Sequence, residues 1–361
     1  MASTIFTTVI LKEEFHMGNT IIETAADATI HQPKRKWFNT KATPDKTMHP
    51  FWVIVQKEVA DYVRSWRFII LVALIALTCM GSMYTALTNI GKAIKPNDPE
   101  GAFFFLKLFT ISDKTLPSFF VFISFLGPLL GISLGFDAIN SEQNRGTLSR
   151  LMAQPIYRDY ILNAKFVAAL IVTTVMFFAL GFLVMGIGLI AIGIPPTAEE
   201  FLRVVFFLLL SIVYVALWLN LSILFSVRFK QAATSALASL SIWLFFSIFF
   251  NIIIDLLAKG FAPSQYASEH QVIGYQNLML NLSRINPSEL FSEATTTLLM
   301  PSVRSIGPLT TEQLSGAIPS PLPLGQSLLL VWPQVTCLVA GTILFFALAY
   351  VSFMRREIRS R

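Results

Sequence analysis

Charge is scarce in this sequence. Of 361 residues, 13% are Asp, Glu, Lys or Arg and 54% are hydrophobic; ordinary soluble domains carry roughly 25% charged residues. That deficit excludes a water-soluble globular chain, because a core of this size could not hide so much apolar sequence. Cysteine is scarce too. Cys79 and Cys337 both fall inside apolar runs and read as small buried hydrophobes, not a disulfide framework. The four histidines, His16, His31, His49 and His270, show no metal-ligand spacing. No G-x-x-x-x-G-K-[ST] stretch occurs, so the chain has no phosphate-binding loop for ATP. No nucleophile–base pair or carboxylate cluster stands apart from capping and topology, so a membrane enzyme has no support. No catalytic residue, cofactor or metal is expected on this chain. The net charge of +6 is a matter of where the cations lie, and gives no reason to expect nucleic acid as a partner.

What is present is a set of apolar runs long enough to cross a hydrocarbon core of about 30 Å. Six occur: 68–87, 116–136, 166–192, 204–225, 232–257 and 327–353. They are continuously apolar and lack the alternation of a membrane β-barrel. The expected fold class is therefore an all-α integral membrane protein with six transmembrane helices. An even number of spans puts both termini on one side. Nineteen of the 27 Lys and Arg fall on that side and eight on the other. The positive-inside rule places both termini in the cytoplasm of a multi-pass cell-membrane protein. The start is no signal peptide, since it has no basic head and no long apolar core.

Residues 1–49 are polar and mixed, and are expected to form a weakly ordered cytoplasmic extension; its basic cluster Lys34–Lys36 can touch anionic lipid or stay solvated. Residues 50–67 change character. Phe51, Ile54, Val55, Val59, Tyr62, Val63 and Trp66 recur at helical spacing, with Lys57, Glu58, Asp61 and Arg64 on the other face. This predicts an amphipathic helix in the membrane interface before span one. The six-span region covers 68–353, including a long outer segment at 258–326, and residues 354–361 form a basic cytoplasmic tail.

Between spans two and three lies SEQNRGTLSRLMAQPIYRDYILNAKF, residues 141–166. Ser141 can cap a helix and Glu142 suits its positive N-terminus. Leu148, Leu151 and Met152 make an apolar stripe beside Arg145 and Arg150, and Pro155 disfavours helix at Gln154. A short cytoplasmic amphipathic helix follows, and its apolar face needs either lipid or a partner.

This segment resembles the loop of type-2 ABC exporter permeases, the ABC-2 superfamily, through Glu142, Gly146, Thr147, Leu148, Gln154, Pro155, Arg158 and Lys165. The resemblance extends over about residues 50–361, taking in KEVADYVRS (57–65) and the six-span layout. The stretch LSRINPSELFSEATTTLL (282–299) is similar to the branch containing the nitrous-oxide-reductase maturation permease. Residues 1–47 lie outside the resemblance, and 258–326 is longer than in minimal members. The resemblance implies a coupling helix that docks in a groove of a separate ATP-hydrolysing subunit. It implies two ATPase chains, which would carry the ATP and Mg, a second permease chain (homodimer or heterodimer), and a prokaryotic source. The coupling residues it implies are Glu142, Arg145, Gly146, Thr147, Leu148, Leu151, Met152, Gln154 and Pro155, with Leu148, Leu151 and Met152 as the docking face.

Inside the spans, Gly127, Gly131 and Gly135 recur four apart, which suits close helix packing or a hinge near Pro128. Ser235, Ser239, Ser247, Asn251 and Asp255 recur at multiples of four along span five. Successive members lie about 40° apart, so the row winds slowly round the helix. It can line a translocation path, form a permease interface, or simply pack. No chain of buried charges crosses the spans, which argues against a proton-coupled carrier. The segment 258–326 is too long for a plain linker. It caps the outer opening or meets an extracytoplasmic partner; NPSELFSEATTTLL (286–299) is expected to be helical, and IPSPLPLG (318–325) extended. Two functions follow. One is an exporter permease driven by a separate ATPase. The other is a non-transporting membrane module that passes ATPase motion to an outer partner.

Overall fold

The computed structural model describes residues 49–93, 103–112, 116–154, 156–193, 195–264, 266–305, 307 and 321–356. Pro155, most of the basic tail and the 1–48 portion of the N-terminal extension lie outside these. Among the described residues every regular element is helical.

Helix α1 (Pro50–Arg64) begins with Pro at its first position, where the missing N–H costs nothing. The chain breaks at Ser65, which is extended, and restarts as α2 (Trp66–Ala93). The sequence predicts one amphipathic helix over 50–67; the break shortens it by three residues. Helix α3 (Phe104–Thr110) is short and buried. Helix α4 (Phe119–Gly135) leads into two helical turns, α5 (Asn140–Asn144) and α6 (Thr147–Met152). Helix α7 (Arg158–Ile192) ends where Gly193 turns left-handed at φ 78°. Helix α8 (Ala198–Arg228) starts with a reciprocal capping box between Thr197 and Glu200. Helix α9 (Ala232–Leu244) passes through a π-turn (Phe245–Phe249) into α10 (Phe250–Phe261). Helices α11 (Glu269–Ser283) and α12 (Pro287–Leu299) precede α13 (Leu324–Met354). Six stretches are long and apolar enough to span a membrane: Trp66–Asn89, Phe119–Asn144, Arg158–Ile192, Ala198–Arg228, Ala232–Phe261 and Leu324–Met354.

Helix α8 is the axis of the bundle and packs against α4, α7, α9, α12 and α13. Its small residues and the α4 glycines explain how. A Cβ on Gly131 would stand 2.6 Å from the Val215 carbonyl oxygen, and one on Gly135 would stand 2.7 Å from that of Leu219. Only glycine permits backbones so close. Gly127 is looser, with the Val215 side chain 3.3 Å from a Cβ. In lipid there is no hydrophobic drive between helices, so such close contact supplies the packing energy. An aromatic cluster fills the rest: Tyr214 stacks on Phe291 with centroids 4.4 Å apart, and Phe109 meets Phe119 edge-on at 5.2 Å.

Candidate functional site

At the end of the bundle that carries α1, α5 and α6, apolar packing gives way to charge. Lys165, in the third turn of α7, is 4% exposed. Its ammonium lies 2.8 Å from Glu58 Oε2 on α1 and 2.8 Å from Glu142 Oε1 on α5. Glu58 and Glu142 are themselves 5% and 8% exposed. Lys57 closes the network, 2.8 Å from Glu58 Oε1, 2.9 Å from Asp61 and 3.7 Å from Glu142. One buried cation is thus shared by carboxylates from two other elements. Such a cluster holds a register only while every member is present, because a lone buried charge is expensive.

The surroundings set the charge states. Burial works against the Lys57 ammonium, but bonds from Glu58 and Asp61 outweigh it and raise its pKa above the ordinary value. Burial, reinforced by the carboxylates of Glu58, Asp137 and Glu142, pushes the Tyr62 phenol far up, so it stays neutral. A second pair, Arg67 to Asp137 at 2.6 Å, ties the start of α2 to the exit of α4. These groups line a cavity of about 630 Å³ between α1, α2, α4 and the α5–α6 segment.

The segment itself corrects the sequence reading in two respects. A single helix from Ser141 is expected, but Gly146 adopts φ 70° and splits it into α5 and α6. Ser141 does not cap; it lies inside α5 and donates to the Asp137 carbonyl. The expected docking stripe is also turned. Leu148 is 2% exposed and packs in the chain's own core, and Leu151 and Met152 pack half-buried against it. This helix has its apolar partner within the chain. The side it shows to solvent is Asn144, Arg145, Gly146, Thr147, Arg150, Ala153 and Gln154. Backbone N–H groups of Ile139 and Asn140 donate to Ser226 Oγ at 2.9 and 3.2 Å, and Asn144 Nδ2 donates to the Lys230 carbonyl at 3.0 Å. The segment is therefore hung from the end of α8.

The span-five row is divided. Ser235 and Ser239 are fully buried, with Ser239 donating to Ser222 on α8 at 3.2 Å. Ser247 is half-buried in the π-turn, and Asn251 and Asp255 are exposed. The π-turn changes the residues per turn, so the five do not share one face.

At the opposite end, Arg203 is fully buried. It is paired with Glu199 at 2.9 Å and donates to the Leu298 carbonyl, the Leu322 carbonyl and Ser327 Oγ. Glu200 accepts from the Phe105 N–H at 2.9 Å. Glu293 on α12 accepts from Arg284 and, at 3.0 Å, from Gln334 on α13. The first two turns of α8 thus fix α3, α12 and the start of α13.

Sequence reasoning picked out Glu142 and placed Lys165 in the family motif, but treated Glu58 only as part of a polar helix face. A Glu on α1 and a Lys early in the third span carry no spacing that declares them partners. Arg203, the sole cation between spans three and four, was the available signal at the other end.

Residues 52–358 match the family described as ABC-2 family transporter protein. The chain is similar to the probable ABC transporter permease protein NosY of Stutzerimonas stutzeri, 24% identical over 297 residues that cover 82% of this chain and 98% of that protein. It is also similar to the protein of the same name from Pseudomonas aeruginosa, 26% identical over 203 residues, covering 56% of this chain and 68% of that protein. The match spans all six membrane helices and both charged ends: this chain belongs to the ABC-2 family of transporter proteins.

Proposed function

We propose that this ABC permease subunit works as the membrane half of an ATP-driven exporter and receives motion from a separate ATPase chain at the α5–α6 segment. The observation that carries this reading is Lys165 bridging Glu58 and Glu142. The exposed turn at Gly146 is short and left-handed, and its root is locked by charge to α1 and to the third span. A push on the turn is thereby transmitted to two elements at once. The excess of Lys and Arg at this end supports a cytoplasmic location, where ATP is available. Two ATPase chains, holding ATP and Mg, and two permease chains complete the assembly. Transport is a two-state rearrangement of the paired permeases, biased by closure of the ATPases. Outward direction rests on the family resemblance. Asn251 and Asp255, exposed on a span that buries little of itself within this chain, suit the second permease or the translocation path.

A second reading is favoured by Arg203. Because it bolts α12 and α13 to α8, movement of the spans reaches the outer helices, as a transmitter to an outer partner requires. Gentle detergent purification of the tagged chain from its host, with mass spectrometry and an ATPase assay, tests both. A co-purifying phosphate-loop ATPase is expected; a clean preparation without one overturns both readings. Deleting α11 alone (Glu269–Ser283), a helix of the outer segment with no buried residue, then separates them, since a transmitter loses its output and a transporter keeps flux.

A further inference from the structure

We infer that the cavity bounded by α1, α2, α4 and the α5–α6 segment binds the headgroup of an anionic glycerophospholipid, held at its phosphate by Arg145 and Arg150. The site goes beyond the coupling reading and does not depend on it. Its depth is the first reason. Ser65, Arg67 and Phe68 line it at the start of span one, and Leu134, Asp137 and Ala138 line it at the exit of α4. Both ends lie where hydrocarbon gives way to headgroups. On the neighbouring turn of α2, Trp66, Ile69 and Ile70 are exposed. A Trp beside exposed aliphatic side chains marks the membrane interface. A lipid with its headgroup in the cavity lays its chains along this face. The volume, about 630 Å³, falls within the roughly 300–1,000 Å³ of ordinary ligand sites.

Charge is the second reason. Every carboxylate lining the cavity is already paired: Asp61 with Lys57 at 2.9 Å, Asp137 with Arg67 at 2.6 Å, and Glu58 and Glu142 with Lys165 at 2.8 Å. Arg145 and Arg150 also line it and carry no ion pair among the described residues. Asp159, unpaired among the described residues at the same end of the bundle, is not part of the lining. Five cations thus face four carboxylates, which leaves room for one negative charge. Two guanidinium groups flanking the Gly146 turn suit a phosphate, whose oxygens accept paired N–H bonds from Arg. Two orphaned atoms are the third reason. The Tyr62 hydroxyl and Glu142 Oε2, both on lining residues, are buried without a hydrogen-bond partner, a rare condition in a folded protein. Glu142 Oε2 needs a donor and the Tyr62 O–H needs an acceptor. A headgroup hydroxyl supplies both. Water satisfies these two atoms but leaves the guanidinium pair without its anion.

The test uses the full chain purified in mild detergent, stripped of lipid and titrated with phosphatidylglycerol, phosphatidylcholine or sn-glycerol 3-phosphate, with bound ligand counted by native mass spectrometry. The parent should take phosphatidylglycerol at least tenfold more tightly than phosphatidylcholine, which has no net charge and no headgroup donor. Arg145→Gln combined with Arg150→Gln should lose at least tenfold in affinity. Both side chains are exposed and unpaired among the described residues, so the lipid-free melting temperature stays as in the parent. Arg64→Gln removes an exposed cation of α1 that does not line the cavity, and should bind as the parent does. Equal affinity for the two lipids, or parent affinity in the arginine pair, overturns the inference. A tenfold loss in Arg64→Gln as well would show diffuse attraction to a basic surface and also overturns it. Binding of sn-glycerol 3-phosphate as tight as that of phosphatidylglycerol makes this a site for a soluble phosphate and overturns the lipid assignment.

Discussion

Lys165 and Glu142 stand 2.8 Å apart at the root of the α5–α6 turn, and Glu58 reaches the same ammonium from α1. Lys165→Met should leave two buried carboxylates facing each other. Breaking such a cluster on one side costs roughly 3–5 kcal/mol. A fall in detergent melting temperature is expected, with partial recovery when Glu58→Gln and Glu142→Gln are added. An unchanged melt would show that the cluster holds nothing.

Gly146 lies in the left-handed region with nothing near its missing Cβ. Space is no obstacle to a larger residue there, but conformation is. Gly146→Asn should behave as the parent and Gly146→Ala should cost about 1 kcal/mol. Gly146→Pro cannot adopt φ 70°. It should leave membrane insertion intact and sever ATP hydrolysis from transport. Normal coupling in that variant, read as ATP hydrolysed per substrate moved, would refute the placement of the turn.

The glycine row of α4 should respond in a graded way. Gly131→Ala and Gly135→Ala drive a methyl into backbone atoms of α8, whereas Gly127→Ala meets a movable Val215 side chain. Stability losses of about 1–3 kcal/mol are expected for the first two, and smaller ones at Gly127. Equal melting temperatures for all three would contradict the α4–α8 contact.

Glu289 on α12 has its pKa raised above 4.5 by burial and by the nearby Glu293 carboxylate. A carboxyl raised in the folded state contributes stability below its unfolded pKa. That contribution is lost as pH rises through the folded value. Melting temperature should therefore decline as pH climbs from about 4.5, and Glu289→Gln should flatten that decline. A variant with the parent's slope would exclude Glu289 as its source.

The six spans were legible in the sequence because length and continuous apolarity suffice to mark them, and the Gly127–Gly131–Gly135 spacing marked a close approach. The charged joint was legible only in part. Glu142 and Lys165 lie 23 positions apart in one segment, but Glu58 meets Lys165 across 107 positions, and no periodicity reports a tertiary ion pair. Leu148 was misread for a related reason. A helical apolar stripe specifies that one face is covered, not whether a partner or the chain itself covers it. The buried α3, FFLKLFT, is apolar but far too short to mark itself as a span; it is held by the Phe105–Glu200 bond, which sequence spacing does not announce.

The coupling account is tested most directly by placing a photo-crosslinking residue at Thr147, on the exposed turn, and, as a control, at Tyr266, exposed between α10 and α11 at the other end. Irradiation of native membranes should join Thr147, and not Tyr266, to an ATP-hydrolysing subunit, with a yield that changes on adding ATP. No ATPase adduct at Thr147, or one from Tyr266 instead, would contradict the claim that this turn is where the chain receives its motion.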